Sequence, residues 1–154
     1  MTSSSVCTLE NTRQWFLKAI PNPTSKNIST QIGCHLEEVV EMLDVLQTKF
    51  PGYKNKLDDA RKHLRFISNL LKQEEGSFFI QEEDRQELLD ALADQIVTAT
   101  GVGTFLGMNV PGALAEVNRS NYSKFDEDGN PIFNENMKVM KGPHYTKPDL
   151  KPYI

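Results

Sequence analysis

The chain has 154 residues, 25% of them charged and 38% hydrophobic, with a formal net charge of −4. That length fits one domain, residues 1–154, with a core of its own, and the acidic balance gives no basic footprint for a nucleic-acid polymer. No stretch approaches a membrane span, and Met1-TSSSVC has neither the basic start nor the apolar run of a signal peptide. Cys7 and Cys34 stand in unrelated contexts without a CxxC pair, which argues for a reducing compartment and against a zinc site. The expected location is the cytoplasm, or the host cytoplasm for a phage-encoded chain.

Residues 1–10 read as a loose polar start. A short helix is expected over 10–20, where Trp15, Phe16, Ala19 and Ile20 recur at helical spacing, and Pro21-Asn22-Pro23 ends it. Thr24-Ser25-Lys26-Asn27 leads into a second helix over 31–50, with Ser29 or Thr30 as its cap. Lys26 and Asn27 are candidate substrate donors at its start, and ordinary loop polarity explains them equally well. Ile32, Leu36, Val39, Leu43, Leu46 and Phe50 form one apolar stripe. Glu37, Glu38 and Glu41 fall within about 100° of one another on the side away from it. Like charges so close repel, so this is either a solvated face or a cation site.

Pro51-Gly52 breaks the chain, and a third helix over 54–74 carries Leu57, Ala60, Leu64, Ile67 and Leu71 opposite a face of mixed charge. A fourth helix is expected over 81–107. Leu88, Leu89, Leu92 and Ile96 line one side and Glu87, Asp90 and Asp94 the other, which continues as Val97, Thr98, Gly101 and Phe105. A helix apolar nearly all round is expected to be buried, and a buried Asp94 would need a partner or a metal. Gly101, Gly103 and Gly107 have the wrong spacing for a phosphate loop and point to close packing or helix termination.

A shorter helix, Ala113-LAEVNRSNYSKF, follows Asn109-Val110-Pro111-Gly112, and its Asn118, Arg119, Asn121, Ser123 and Lys124, beyond the fourth helix, offer donors to phosphates. Residues 125–154 change character. Turn signals at Asp128-Gly129 and Asn134-Glu135-Asn136, between short extended runs, predict a β-hairpin and then an extended Pro-rich tail. Asp126, Asp128 and Asn130 mimic the start of a calcium loop, but Met137 stands at its twelfth position, so an EF-hand is rejected. The fold class expected is therefore all-α, a bundle of four to five helices with a C-terminal hairpin and tail. His35, His63 and His144 show no metal-ligand spacing; His35, one turn before Glu38, is a candidate substrate contact.

Two acidic clusters about 50 residues apart could together hold a hard cation, Mg²⁺ or Mn²⁺, which takes oxygen ligands and shares them with phosphates. The pattern Glu37-Glu38-x-x-Glu41, then a helix bearing Asp94, resembles that of the MazG-like all-α nucleoside triphosphate pyrophosphohydrolases, whose motifs are EExxE and a later ExxD. The likeness extends to PNPTSKN before the first motif, DALAD-x-IV-x-x-x-G around the second, and VNRSNYSKF with KGPHY-x-KPDL towards the end, in the manner of small phage-type members. It implies Mg²⁺-dependent conversion of a deoxynucleoside triphosphate, purine dGTP or dATP among the candidates, to monophosphate and pyrophosphate. By that resemblance Glu38 and Glu41 bind metal, Glu37 orients water or binds a second metal, and Asp94 is the ExxD aspartate. Ala91 stands where the family has a glutamate; Asp90, or Glu87 in a second literal ExxD, takes its place. Lys26, Asn27, His35, Asn118, Arg119, Ser123 and Lys124 are the candidate substrate contacts. The resemblance also implies a homodimer or homotetramer. The alternatives are hydrolysis of phosphoribosyl-ATP and a non-catalytic helical interaction module.

Overall fold

A computed structural model describes residues 8–154. Among them are five α-helices, α1 (Thr8–Ala19), α2 (Ser25–Asp44), α3 (Pro51–Gln73), α4 (Arg85–Phe105) and α5 (Val110–Tyr122), with one-turn 3-10 segments before α4 and at 151–153. The protein is all-α, as its periodicity predicts. Of the loose start, residues 1–7, Cys7 included, lie outside the described residues, and 8–10 are already helical. The chain divides into two compact units. One holds α1, α4, α5 and the tail; the other holds 22–79, with α2 and α3, and the short loop 134–138.

In the first unit, Trp15 and Phe125 stack with ring centroids 5.7 Å apart and planes 6° from parallel. Ala19 completes this small core, and Ile20, Tyr122 and Val139 pack around it. Gly107 ends α4 with φ +79, and Met108 N donates back to Gly103 O. Gly103 is bare because a Cβ there would meet Val110 Cγ2 at 2.1 Å. These two glycines thus serve termination and packing.

In the second unit, α2 begins at Ser25, six residues before the expected start at 31. Thr24 is the N-cap, its side chain accepting from Asn27 N while Asn27 Oδ1 accepts from Thr24 N, a reciprocal capping box. Ser29 and Thr30, expected as caps, lie inside the helix: Ser29 donates to Leu71 O on α3 and Thr30 to Asn136 O. The helix also stops short of Phe50. Pro51 restricts the residue before it, and Phe50 is extended at φ −105, ψ 112, as the N-cap of α3.

The α2–α3 seam does not follow the apolar stripe. It runs along Ser29, Gly33, Glu37 and Val40, where Ser68 Oγ donates to Gly33 O at 2.7 Å and Leu71 is buried. A Cβ on Gly33 would lie 2.7 Å from the Ser68 carbonyl, so this glycine sets the approach of the two helices. The stripe itself is half-buried from Ile32 to Leu43 and exposed at Leu46 and Phe50. Glu37 therefore faces α3, whereas the stripe had placed it on the far side.

The expected C-terminal hairpin is reduced to one antiparallel bridge, Phe133 with Val139, and no strand forms among the described residues. Its turns are real. Asp126 Oδ1 accepts from Asp128 N and Asn130 N, and Asn134 Oδ1 from Asn136 N and Lys138 N. Side chains that fold the backbone onto themselves leave few residues for ladder pairing.

Candidate functional site

The acidic face of α2 meets the basic face of α3. Arg61, Arg65 and Lys72 recur four and seven residues apart, so they share one side of α3. Lys72 Nζ lies 2.9 Å from Glu37 Oε2, and Arg65 and Arg61 reach Asp44 at 3.0 and 3.3 Å. Arg61 also donates to Leu43 O, one of the carbonyls the helix end leaves without an intrahelical partner. A second lysine, Lys138, approaches the same Glu37 oxygen at 3.4 Å from the loop 134–138. That loop is fixed by the Asn134 turn, by Met137 at φ +59, and by the hydrogen bond from Thr30 to Asn136 O.

Glu37 is half-buried. Burial pushes its carboxyl up, and the Lys72 hydrogen bond with the charges of Lys138 and Lys72 outweighs it, so the group ends below the ordinary carboxylate value. Lys138 is raised: burial pulls it down, and a Cys34 thiolate, Glu37 and Glu38 more than offset that. The half-buried Cys34 thiol is pushed up by burial, the opposite of an activated nucleophile.

One turn along, Glu38 and Glu41 are exposed. Beside them a cavity of about 210 Å³ is lined by Glu37, Val40, Glu41, Asp44, Arg65, Ser68 and Asn69. A hollow of about 540 Å³ lies further along α3, between Asp44, Asp58 and Phe66, and the ion pairs of Arg61 and Arg65 with Asp44 and Asp58 occupy its lining. Among the described residues no group of three carboxylate, histidine or cysteine side chains is close enough to form a metal cage. What α2 offers is two exposed carboxylates three residues apart. That donor set suits Mg²⁺, which is usually held by one or two carboxylates and completed by phosphates and water.

The other expected site residues divide sharply. Lys26 donates to the Lys72 carbonyl, so it stands at the same end of the α2–α3 pair. Asn27 is buried in the capping box, and its Nδ2 has no hydrogen-bond partner. His35 is exposed on α2. Asn118 is 1% exposed; its Oδ1 accepts from Thr12 Oγ1 and its Nδ2 donates to Thr8 O. Its amide ties α1 to α5, which corrects its assignment to substrate. Arg119 is clamped by Glu116 at 2.7 Å and donates to Thr146 Oγ1 at 2.6 Å, while Ser123 Oγ donates to Ser120 O and accepts from Thr146 N. Lys124 lies over the Trp15 ring at 5.7 Å. These three hold α5 to the tail and to the aromatic core.

Asp90 and Asp94 sit on α4, in the other compact unit, and both are exposed. The expectation of a buried Asp94 is corrected. Among the described residues the helix neighbours of α4 are α5 and the 3-10 turn before it, so most of its circumference is bare. Burial gives Asp94 no support; its role rests on the resemblance. Lys72 and Lys138 went unnoticed in the sequence. The spacing of Arg61, Arg65 and Lys72 was a readable signal for the first, whereas nothing local to Lys138 announces its meeting with Glu37.

Compared with protein-family models, curated proteins and solved structures, the chain matches none.

Proposed function

We propose that this protein is a Mg²⁺-dependent nucleoside triphosphate pyrophosphohydrolase of the MazG-like kind, with a deoxynucleoside triphosphate as substrate and dGTP or dATP as first candidates. The observation that carries the reading is the arrangement on α2: Glu38 and Glu41 open to solvent three residues apart, beside a Glu37 carboxylate held by two lysines. Carboxylates for a cation next to ammonium groups for phosphate are the two halves of a site for a metal-bound polyphosphate.

In the reaction a water oxygen bonds to the α-phosphorus and the bridging oxygen leaves with pyrophosphate. The products are a monophosphate, pyrophosphate and the proton from water. A bound Mg²⁺ would neutralise phosphate charge and acidify a water. Glu38 and Glu41 would hold the ion; the resemblance assigns Asp90 and Asp94 as further metal ligands. Glu37 orients the attacking water and accepts its proton. Lys26, which donates to the Lys72 carbonyl, and the exposed His35 remain candidate substrate contacts on the same helix. Phosphoribosyl-ATP is the neighbouring substrate for the same chemistry.

The protein also assembles with copies of itself through α4. Leu88, Leu89, Leu92, Ile96, Val97, Val102, Phe105 and Leu106 are all exposed, Phe105 at 92%. They stand on both sides of the helix, and burying them against a copy of the chain is favourable. The same bare helix is what favours a second reading, a helical interaction module without catalysis.

Turnover separates the two. Glu38→Gln and Asp94→Asn should each abolish metal-dependent hydrolysis while the helical circular dichroism is unchanged. Undiminished activity in both would sink the site assignment.

A further inference from the structure

The Lys72–Glu37–Lys138 cluster has a feature that an ion-pair seam does not require. At the other end of the α2–α3 pair, Arg61 uses its guanidinium on Asp44, Asp58 and the Leu43 carbonyl, all structural acceptors. Lys138 differs. Among the described residues its ammonium makes one hydrogen bond, a long one of 3.4 Å to Glu37. An ammonium has three donors, so two are left for water or a ligand. Its side chain is 51% exposed, and a pair so exposed contributes little to stability. Stability is thus a weak reason for a loop fixed by three backbone devices to deliver a lysine to this point.

The α2 face beneath it has the same character. Asn27, Thr30, Cys34, Glu37, Glu38 and Glu41 follow one another within a helical arc of about 100°. Thr30 anchors the lysine loop, and Asn27 Nδ2 is a buried donor without a partner. Lys72, in the last turn of α3, stands where the helix end also favours a cation and lies 85% buried along its side chain, which is 15% exposed. Two cations thus converge on one carboxylate oxygen.

We propose that Lys72 and Lys138 are the phosphate-binding residues of the site, with Glu37 holding both in place of the phosphate oxygens until a polyphosphate arrives. This rests on the reading of the site as one for a metal-bound triphosphate, and it names the groups that receive the phosphate chain. When the ligand enters, the ammonium groups turn from Glu37 to its oxygens. Glu37 is thereby released to act on water only when substrate is present.

The test is calorimetric binding of inorganic tripolyphosphate, with and without Mg²⁺, to the full chain and to Lys72→Met, Lys138→Met and the double variant, with circular dichroism as the check on folding. Each single variant should weaken binding about tenfold, the order expected for loss of one charge-assisted hydrogen bond, and the double variant should bind weakest. Glu37→Gln should bind Mg²⁺-free tripolyphosphate more tightly than the wild type, because its lysines are no longer held; a purely structural pair would not give that gain. In steady state, the lysine variants should raise KM more than they lower kcat. Wild-type affinity in a folded double variant, or no binding by the wild type at millimolar concentration, would overturn the proposal. Binding without hydrolysis of any nucleotide would leave it standing and remove the enzymatic reading. Hydrolysis with an unchanged KM in the folded double variant would do the reverse.

Discussion

The α2–α3 pair and α4 are helices of similar length with acidic and apolar residues in comparable numbers, yet their side chains meet different fates. In the pair, small residues let two backbones approach, Ser29 and Ser68 each donate to a carbonyl of the other helix, and acids are matched by bases. Along α4 nearly every side chain is exposed, Leu89 at 68% and Val97 at 66% among them. A carboxylate on α2 is therefore defined by its neighbours, whereas Asp90 and Asp94 await whatever covers α4. The lesson is that a helix apolar on all sides specifies burial without specifying by what.

The strongest way to break the contrast is at Gly33. Gly33→Ala gains up to about 1 kcal/mol in helix propensity, but its methyl would sit 2.7 Å from the Ser68 carbonyl. A net loss is expected on urea unfolding, and Gly33→Val should cost about 3 kcal/mol as the helices are forced apart. Unchanged midpoints would mean that the seam does not set the spacing.

Charging the bare helix should act on assembly instead. Leu89→Glu with Phe105→Glu should convert an oligomer to a monomer in light scattering, with circular dichroism retained. If the wild type is already monomeric at tens of micromolar, self-association through α4 is wrong.

The smallest effect sharpens the account of α5. Glu116 is held at about 2, first by its hydrogen bonds with Arg119 and then by the Asp149 amide. Its folded value lies below the unfolded one, so the stability it contributes is present above the ordinary carboxylate range. That contribution is lost as pH falls through about 2. Carboxyl NMR titration should find that midpoint, and Arg119→Gln should raise it towards 4.5, the ordinary value.

The five helices and most of their breaks were legible, because prolines, capping residues and apolar spacing act locally. The start of α2 was not: the periodicity begins at Ile32, but the capping box lies at Thr24 and Asn27. The seam was not legible either, since Gly33, Ser29 and Ser68 carry no hydrophobic signal and pair through carbonyls. Of the candidate site, the acidic triplet was readable from spacing. Its lysine partners come from a helix end and a loop remote in sequence, and Asn118 shows how a polar residue within a helix can be consumed entirely by the interior.

The central claim is α-phosphate hydrolysis at the α2 carboxylates, and its most direct measurement is product analysis. The four dNTPs and four NTPs are incubated with Mg²⁺, Mn²⁺ or EDTA, and pyrophosphate, orthophosphate and nucleoside monophosphate are quantified. The account predicts metal-dependent pyrophosphate in equal amount with the monophosphate, fastest for a purine dNTP and absent in EDTA. Orthophosphate as the product, or no turnover of any nucleotide with either metal, would contradict it.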